Sequence, residues 1–485
     1  MTATDQTFFN YIDGKWAPCQ SGRTFRNTNP ANTSDLIGLF QASGSAEAEA
    51  AVAAAQRAFD VWRKTPIGKR AKILNDAALY IEQHADQFAQ ELTREEGKAF
   101  AQAKDEFLRS AQTFRFYATE GQTYGGETYP QDDLNMHVFS HREPLGVVTV
   151  ISPWNFPASI PARKLAPALI TGNTVVFKPS SDAPLSGLRL VEALDKAGIP
   201  AGVVNCVTGR AGDVGPVITN SSNIRAISFT GSTTAGTQIH RTVHLTTRLQ
   251  MELGGKNPMI VMEDADLDLA VDLAIKGGFS LTGQACTGTS RIIVVPSVKE
   301  AFTSKLLERV AALKIGSGMT PGMDLGPLAT EKQLQTVLEY IAVGKQEASL
   351  LCGGERLTGP EFDQGYYVSP AVFTDVTNDM RIAREEIFGP VLVIIEARDF
   401  EHALELANDT EYGLSASIVT MNPRYMHVFT QEIQAGTVKI NRTTTGNLVN
   451  APFGGLKHSS TSTFRESGRA GLEFFTQIKT VYRGI

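Results

Sequence analysis

From about residue 147 onward, short uninterrupted apolar runs alternate with helix-like stretches, and this alternation strongly constrains the fold. The first runs are 147–151, 174–177, 203–207, 224–229 and 259–262. Apolar runs without polar alternation indicate strands covered on both faces, and the helices between them supply the crossovers of a parallel sheet. The pattern therefore predicts an α/β protein with a doubly wound domain of the nucleotide-binding type.

A second alternating series begins near residue 265. It predicts helix 265–282, strand 291–296, helices 298–313 and 328–347, strand 391–396, helix 400–408, strand 415–420, helix 423–433 and strand 436–441. Two such series predict two lobes separated by a crevice, where ligands of these folds usually bind. Residues 122–141 and 474–483 are predicted as strands without helices of their own, which would bury a face against another subunit.

The composition excludes several classes of partner. The 485 residues are 42% hydrophobic and 20% charged, with a formal net charge of −6 and no dense run of lysine and arginine. Neither nucleic acid nor a membrane surface is therefore predicted as a partner. Residues Met1 to Asp13 lack the basic and apolar regions of a secretion signal, and no apolar run is long enough to span a bilayer.

The cysteines and histidines point to a reducing compartment and to a protein without a metal centre. The four cysteines are far apart and form no CxxC pair, which predicts a cytoplasmic location. His240 and His244 lie four residues apart on a predicted helix, a spacing that would let two imidazoles share a metal ion. Because no third ligand or adjacent glutamate accompanies them, no metal site is predicted.

Cys286 lies between a predicted helix and the strand 291–296, among small and polar residues. A thiol at such a junction can face a cleft, and its thiolate would be the nucleophile of an enzyme. A free cysteine is more often a small buried hydrophobe. This stretch alone therefore leaves both interpretations open.

Two further residues would complete a reactive centre around such a thiol. Asn155 follows the strand 147–151, where its amide would hold a developing oxyanion or would bond its own turn. Glu252 lies in apolar surroundings beside Gly254 and Gly255. A desolvated glutamate has a raised pKa and can act as a general base near neutrality, and an ion-paired structural glutamate is the alternative.

Three other motifs suit a nucleotide. Lys178 ends a strand and would reach ribose or phosphate oxygens, although a solvated surface lysine fits equally well. Gly231 and Ser232 lie between a strand and a helix start, where N–H groups and the helix dipole favour a pyrophosphate. Their spacing is not that of the usual G-x-G-x-x-G fingerprint. Glu386 and Phe388 add a carboxylate and an aromatic ring just before a strand.

Together these motifs resemble those of the aldehyde dehydrogenase superfamily. The resemblance rests on WNFP, FKPS, FTGST, ELGGK, GQxC, EEIFGP and PFGG in this order, and it extends from about Tyr11 to the C-terminus. It implies an aldehyde dehydrogenase-like α/β fold with a Rossmann-type cofactor domain, an α/β catalytic domain and a β oligomerisation arm. The implied bounds are 1–121 and 142–253 for the NAD(P)-binding domain, 254–440 for the catalytic domain, and 122–141 and 465–485 for the arm.

The resemblance also implies a role for each motif residue. Cys286 would attack the aldehyde carbon, Asn155 and the N–H of Cys286 would hold the oxyanion, and Glu252 would activate the water that hydrolyses the thioester. Hydride would pass to NAD or NADP. The implied cofactor contacts are Trp154, Lys178, Ser181, Gly231, Ser232, Glu386 and Phe388.

Ser181 departs from the pattern of the NAD-preferring members, which commonly carry a glutamate three residues after the lysine. A small uncharged residue does not repel a 2′-phosphate, and Lys178 is near enough in sequence to attract one. The sequence therefore predicts that NADP is accepted as well as NAD.

The substrate is indicated by two arginines. Arg163 matches an arginine that contacts the distal carboxylate in semialdehyde dehydrogenases, and Arg442 lies where family members line the substrate entrance; a structural role in salt bridges is the alternative. Ser280 replaces an arginine of the succinate semialdehyde enzymes. The segments 440–446 and 474–482 resemble the bacterial α-ketoglutarate semialdehyde (2,5-dioxopentanoate) dehydrogenases.

The implied reaction is thus oxidation of α-ketoglutarate semialdehyde to 2-oxoglutarate by a homodimer or homotetramer. The alternatives are succinate semialdehyde or another ω-oxo acid, or a broad range of aliphatic and aromatic aldehydes. Members that pass the acyl group to CoA typically lack the activating glutamate, so Glu252 favours hydrolysis.

Overall fold

The computed structural model describes residues 6–484. Residues 1–5 and residue 485, which belong to the predicted cofactor domain and arm, lie outside the described residues. The strands are β1 (Thr7–Phe8), β2 (Asn10–Ile12), β3 (Lys15–Ala17), β4 (Thr24–Asn29), β5 (Asn32–Gln41), β6 (Thr128–Tyr129), β7 (Met136–Pro144), β8 (Val147–Ile151), β9 (Thr174–Lys178), β10 (Val204–Cys206), β11 (Ile224–Thr230), β12 (Arg248–Glu252), β13 (Asn257–Val261), β14 (Thr289–Val294), β15 (Ser349–Cys352), β16 (Ala371–Thr374), β17 (Val391–Glu396), β18 (Tyr412–Gly413), β19 (Ser415–Val419), β20 (Thr437–Ile440), β21 (Leu456–Lys457) and β22 (Thr476–Gly484).

Helices separate most of these strands. They are α1 (Ser45–Trp62), α2 (Ile67–Gln83), α3 (Ala85–Glu96), α4 (Phe100–Thr123), α5 (Ser159–Ile170), α6 (Pro184–Lys196), α7 (Ala211–Asn220), α8 (Thr233–Thr242), α9 (Leu267–Phe279), α10 (Pro296–Ala311), α11 (Glu331–Glu347), α12 (Arg381–Arg384), α13 (Phe400–Asn408), α14 (Pro423–Glu432) and α15 (Gly468–Phe474), with a 3-10 turn at Ser280–Gly283. Among the described residues, none of these helices combines the length and the apolarity needed to cross a membrane.

The first large sheet has the strand order β12-β11-β8-β9-β10-β2-β3. Its first five strands are parallel, and the hairpin β2-β3 adds an antiparallel edge. Val148 and Val175 pack with α5 on one face, whereas their neighbours Val147 and Val176 pack with α1 on the other. Because successive residues of a strand point to opposite faces, these uninterrupted apolar runs can be buried only in a sheet covered on both sides.

The second large sheet has the order β15-β16-β17-β14-β13-β19-β20, parallel except for β15. Ile260 and Ile293 pack with α11 on one face, and Met259 and Ile292 pack with α9 and α10 on the other. Both large sheets are therefore doubly wound, as the two series of apolar runs predicted. Only residues 253–256 separate the carboxyl end of β12 from the start of β13, so the two sheets meet directly at this point.

A three-stranded sheet of order β22-β7-β6 lies apart from the large sheets. Strands β7 and β22 pair antiparallel along their whole length, from Thr476 opposite Pro144 to Gly484 opposite Met136. Strand β7 thus continues beyond residue 141, where the predicted arm segment ends. The domain bounds themselves stay a prediction. Two smaller sheets, β1-β5-β4 and β18-β21, complete the strand pairing of the described residues.

The predicted helix 265–282 is too long. Helix α9 ends at Phe279, and the chain then forms the 3-10 turn in which Leu281 and Thr282 have φ of 52° and 55°. Gly283 follows with φ of 72°, and a Cβ there would collide with the carbonyl of Gly389. Left-handed backbone of this kind cannot continue an α-helix, so the chain leaves the helix shortly before Cys286.

Candidate active site

Cys286 lies in a tight turn between the 3-10 turn and β14. The N–H of Gly288 donates to the carbonyl oxygen of Ala285 at 2.8 Å, which closes the turn. Asn257 Nδ2 donates to the carbonyl oxygen of Cys286, also at 2.8 Å, and thereby fixes the turn to the start of β13. A Cβ at Gly255 would lie 2.5 Å from that same carbonyl oxygen. The backbone that carries the thiol is therefore held from several sides.

The surroundings of Cys286 favour the neutral thiol in the free protein. Burial is the main cause, and the carboxylates of Glu386 and Glu252 add to it, so that the pKa of the thiol rises to about 12. Arg163 acts in the opposite direction. A thiolate would consequently form only as a nearby base accepts the proton.

Asn155 reaches the cysteine turn from the other lobe. It is 2% exposed, and its Nδ2 donates to the carbonyl oxygen of Gln284 at 2.9 Å, two residues before Cys286. A carboxamide carries two N–H donors, and this bond uses one of them. The loop after β8 thus brings a fixed amide to the turn that bears the thiol.

Glu252 ends β12 and is 2% exposed. Neither of its carboxylate oxygens has a hydrogen-bond partner among residues 6–484. Burial and the neighbouring Glu466 raise its pKa well above the usual range, against the opposing charges of Lys164 and Arg465. A Cβ at Gly454 would lie 2.7 Å from Glu252 Oε1, so the glycine leaves room beside the carboxylate. A buried carboxylate without bonds of its own is suited to accept a proton near neutrality.

An ion pair that the sequence did not reveal lies behind Glu252. Lys164 Nζ is 2.7 Å from Glu466 Oε1, and the two side chains are 0% and 2% exposed. Lys164 also donates to Ser228 Oγ at 3.0 Å. A lysine within the largely apolar helix α5 is a local signal for such a pair, but that signal does not identify the partner, because Glu466 lies far away in sequence.

Lys178 is 5% exposed, and its Nζ donates to the carbonyl oxygen of Pro179 at 3.1 Å. No carboxylate lies within 4.0 Å of its Nζ in the described chain, and burial lowers its pKa to about 8. Strand β8 lies between β9 and β11 in the sheet, and the hydroxyls of Ser152 and Thr230, at the carboxyl ends of β8 and β11, are buried without a partner among the described residues. Unpaired hydroxyls at the carboxyl ends of neighbouring strands fit the hydroxyl and phosphate oxygens of a dinucleotide.

The turn at Gly231 and Ser232 differs from a simple cradle of free N–H groups. The N–H of Gly231 donates to the carbonyl oxygen of Glu252 at 3.1 Å, and Ser232 Oγ accepts the N–H of Ala235 at 3.3 Å. The expectation that free N–H groups dominate this turn is therefore wrong for Gly231. Its place at the amino end of α8, and hence near the positive end of the helix dipole, agrees with the expectation.

Glu386 and Phe388 lie next to the cysteine turn. Glu386 Oε1 accepts the N–H of Gly255 at 2.9 Å, and burial raises the pKa of this carboxyl to about 7. Phe388 has φ of 58°, and its ring contacts that of Trp154 edge-on, with centroids 5.4 Å apart. Glu386, Phe388 and Ala285 line one small cavity. The cofactor candidates Glu386, Phe388 and Trp154 thus lie close to the turn that carries Cys286.

The two arginines are held much more loosely. Arg163 Nη1 is 3.9 Å from Glu466 Oε2, and its side chain is 21% exposed. Arg442 is exposed, and no carboxylate of residues 6–484 lies within 4.0 Å of it; its own carbonyl oxygen accepts Ser417 Oγ at 2.5 Å. Of the two arginines, only Arg163 is close enough to the thiol to lower the pKa of Cys286.

A sheet of the dinucleotide-binding type beside a cysteine, an amide and a buried glutamate defines the class of a dehydrogenase with a cysteine nucleophile. The aldehyde dehydrogenase family matches residues 16–481. The chain belongs to the aldehyde dehydrogenase family, and it is an NAD(P)-dependent enzyme that acts on an aldehyde.

Three known proteins show how close the similarity is. An α-ketoglutaric semialdehyde dehydrogenase of Bacillus subtilis is 45% identical over 478 residues, which cover 98% of each chain. An NADP-dependent enzyme of E. coli is 36% identical with a TM-score of 0.94, covering 99% of this chain and 98% of its own. A betaine aldehyde dehydrogenase of Staphylococcus aureus in complex with NAD+ is 33% identical with a TM-score of 0.95, covering 98% and 94%. These findings confirm the predicted family, fold class and NAD(P) cofactor.

Proposed function

We propose that this enzyme oxidises the aldehyde group of α-ketoglutarate semialdehyde to give 2-oxoglutarate, with NADP or NAD as the hydride acceptor. The observation that carries the proposal is the convergence of Asn155, Glu252 and the weakly paired Arg163 on the turn of Cys286. The name of the Bacillus subtilis relative supports the choice of substrate.

In the first half of the proposed reaction, the sulfur of Cys286 bonds to the aldehyde carbon while the thiol proton passes to solvent water. The oxygen that becomes negative lies between Asn155 Nδ2 and the N–H of Cys286. Such donors stabilise a developing charge best when they are fixed in advance, as the bond from Asn155 to Gln284 indicates. The nicotinamide, when bound, accepts the hydride, and a thioester on Cys286 remains.

In the second half, Glu252 accepts a proton from water, and the hydroxide attacks the thioester carbon. The carbon–sulfur bond breaks, the carboxylic acid leaves, and the thiolate of Cys286 takes the proton from Glu252, which restores both groups. The ion pair of Lys164 with Glu466 lies next to Glu252; Lys164 favours the carboxylate form of Glu252, and Glu466 favours the protonated form. This role as a base agrees with a carboxyl that is buried and has no fixed partner.

We propose Arg163 and Arg442 as the groups that recognise the distal carboxylate of the substrate. Glu466 is paired closely with Lys164 and only distantly with Arg163, which leaves the guanidinium available. Arg442 is exposed at the start of the loop 441–450. Hydrogen bonds from a guanidinium to a carboxylate are strong and directional, so an acidic substrate fits better than a neutral aldehyde.

Steady-state kinetics on a panel of aldehydes tests this choice. We expect kcat/KM to be highest for α-ketoglutarate semialdehyde, lower for succinate semialdehyde, and lowest for hexanal and benzaldehyde. Ser280 in place of an arginine supports the order of the first two. A higher kcat/KM for hexanal or benzaldehyde than for every ω-oxo acid would refute the proposed substrate class.

We propose further that NADP is accepted. Ser181 Oγ donates to the carbonyl oxygen of Gly209 at 2.7 Å, so a neutral side chain lies near Lys178. Arg210 follows Gly209 and is exposed, which adds a second cation to this region. Asp182 raises the pKa of Lys178 against the effect of burial and so helps to keep the ammonium charged. Two cations without a carboxylate at position 181 favour a 2′-phosphate.

We also propose a homodimer or homotetramer in the cytoplasm. Strand β22 is an edge strand that exposes Ile478 and Tyr482 at 59% and 69%. Open strand edges with apolar side chains are usually covered by another chain. The four cysteines are free, which suits a reducing compartment. Light scattering coupled to size-exclusion chromatography tests the assembly, and a monomeric mass at micromolar concentration would contradict it.

A further inference from the structure

We propose that Lys98 is a positioning residue for the oxyanion site, because it fixes the backbone of Asn155 through a buried ion pair with Glu106. The inference rests on the proposed role of Asn155 as an oxyanion donor. It adds a residue that is distant from Asn155 in the chain but contacts its backbone, and that does not touch the thiol.

Lys98 contacts the loop that follows β8. Its side chain is 1% exposed, and Nζ donates to the carbonyl oxygen of Asn155 at 2.7 Å and to Glu106 Oε2 at 2.5 Å. Nζ also lies 4.7 Å from the centroid of the Phe156 ring. A buried ammonium needs partners for its donors, and two of the contacts that Lys98 makes are to this loop.

Glu106 holds the other end of the same loop. Its Oε1 accepts the N–H groups of Ala158 and Ser159 at 2.9 and 3.1 Å. These N–H groups belong to the start of α5, where they have no partner within the helix. Lys98 and Glu106 together therefore fix the backbone at both ends of the segment 155–159.

A fixed backbone matters here because the side chain of Asn155 is anchored at its far end as well. Asn155 Nδ2 donates to Gln284, and Gln284 Oε1 in turn accepts the N–H of Ala329 at 2.9 Å. The amide is thus placed between two fixed points. When a catalytic group is misplaced by about 1 Å, the rate can fall about 100-fold. Loss of Lys98 would release one of these two points.

A second carboxyl, that of Glu96, completes the buried cluster of Lys98 and Glu106. Glu96 Oε2 is 3.8 Å from Lys98 Nζ, and burial raises the pKa of Glu96 to about 8. Glu96 can therefore be uncharged near neutral pH, so that Lys98 and Glu106 form the charged pair. The double variant Lys98→Met/Glu106→Gln removes both charges of this pair. Its glutamine keeps an Oε1 acceptor for the N–H groups of Ala158 and Ser159.

A double-mutant cycle with Asn155→Ala separates positioning from mere stability. We expect Lys98→Met to slow the pre-steady-state burst of reduced cofactor about 10- to 100-fold, with little change in the KM of the cofactor. Combined with Asn155→Ala, it should slow the burst no further than Asn155→Ala alone. If Lys98→Met does not fold, the Lys98→Met/Glu106→Gln pair is measured in the same cycle.

Arg189→Met is the matched control. Arg189 is also a partly buried cation, paired with Glu91 and Glu192 at 2.7 and 2.6 Å, but it does not contact the loop 155–159. Any fold-reduction that Arg189→Met causes in the burst rate should multiply with the fold-reduction caused by Asn155→Ala. If the effects of Lys98→Met and Asn155→Ala multiply in the same way, Lys98 is only structural and the inference is refuted. An Asn155→Ala variant with an unchanged burst would instead refute the proposed role of Asn155, and with it the positioning role.

Discussion

The reactive centre and the proposed substrate entrance of this enzyme are built in opposite ways. Asn155 and Glu252 are each 2% exposed, and the turn of Cys286 is tied to β13 by a side-chain bond. At the entrance, Arg442 is exposed and Arg163 has only a distant ionic partner. A fixed centre can stabilise one transition state without reorganisation, whereas cations with few contacts can be replaced at little cost in stability. We therefore propose that the first region sets the reaction and the second region sets the substrate.

The largest effect should come from the thiol. Cys286→Ala removes the nucleophile that forms the covalent intermediate, and loss of such a group typically costs about 10⁴-fold or more in kcat. We expect no measurable NAD(P)H formation with any aldehyde, acidic or neutral. Absorbance of the reduced nicotinamide measures it. Cys352→Ala is the control with wild-type activity, and retained activity in Cys286→Ala would overturn the assignment of the centre.

The next effect should come from Glu252→Gln. This change leaves the side chain uncharged and unable to accept a proton, so thioester hydrolysis should slow about 10²- to 10⁴-fold. Stopped-flow absorbance should show one burst of reduced cofactor per active site, followed by a very slow steady state. Equal slowing of the burst and the steady state would show that Glu252 is also required for attack by the thiol.

The pH dependence of the wild-type enzyme provides a check on the same base. Glu252 must be deprotonated to act, and burial raises its pKa well above the usual range. The hydrolytic step should therefore be fast above this raised pKa and should be lost as the pH falls through it. In Glu252→Gln this acid limb should disappear from the steady-state rate, and its persistence would assign the limb to another group.

The entrance should show smaller, substrate-dependent effects. Arg163→Gln and Arg442→Gln each remove charge-assisted hydrogen bonds to the distal carboxylate, worth about 1.5–3 kcal/mol, or about 10- to 100-fold in kcat/KM. Activity with hexanal, which has no carboxylate, should fall much less than activity with the acidic substrates. Arg309→Gln, at a surface ion pair with Asp272, is the matched control. Equal losses with hexanal would place both arginines in structural roles.

The smallest effect should be on the cofactor. Ser181→Glu puts a carboxylate where the 2′-phosphate of NADP is proposed to bind, and repulsion of like charges should lower kcat/KM for NADP by at least about tenfold. The value for NAD should be unchanged or higher. Ser181→Gln, similar in size but neutral, is the control. A wild-type enzyme with a strong preference for NAD would contradict the proposed acceptance of NADP.

Much of this architecture is visible in the sequence because it depends on local patterns. Most of the parallel strands coincide with the predicted apolar runs, and the ordered motifs give the family. Strand β12 was not predicted, because Arg248, Gln250 and Glu252 interrupt its apolar residues. It lies at the edge of its sheet, and Gln250 is satisfied there by bonds to Ser228 and Arg465.

The supporting contacts of the centre were beyond sequence reasoning. The pairs of Lys164 with Glu466 and of Lys98 with the Asn155 loop join residues that are distant in the chain. Nothing in the local pattern of either partner specifies the other, because each pair forms only when separate helices and loops pack together. The roles of the two arginines stay predictions for a different reason: a cation has the same local sequence pattern whether it binds a substrate, a carboxylate of the protein or only solvent.

In the proposed reaction, a covalent intermediate forms on Cys286 and is released through Glu252. Intact-mass and peptide mass spectrometry of Glu252→Gln, quenched after one turnover with α-ketoglutarate semialdehyde and NADP, measures it directly. We expect the mass of one acyl group on the peptide that contains Cys286, in the same amount as the reduced cofactor formed. Stoichiometric reduced cofactor without any adduct on Cys286 would contradict the account.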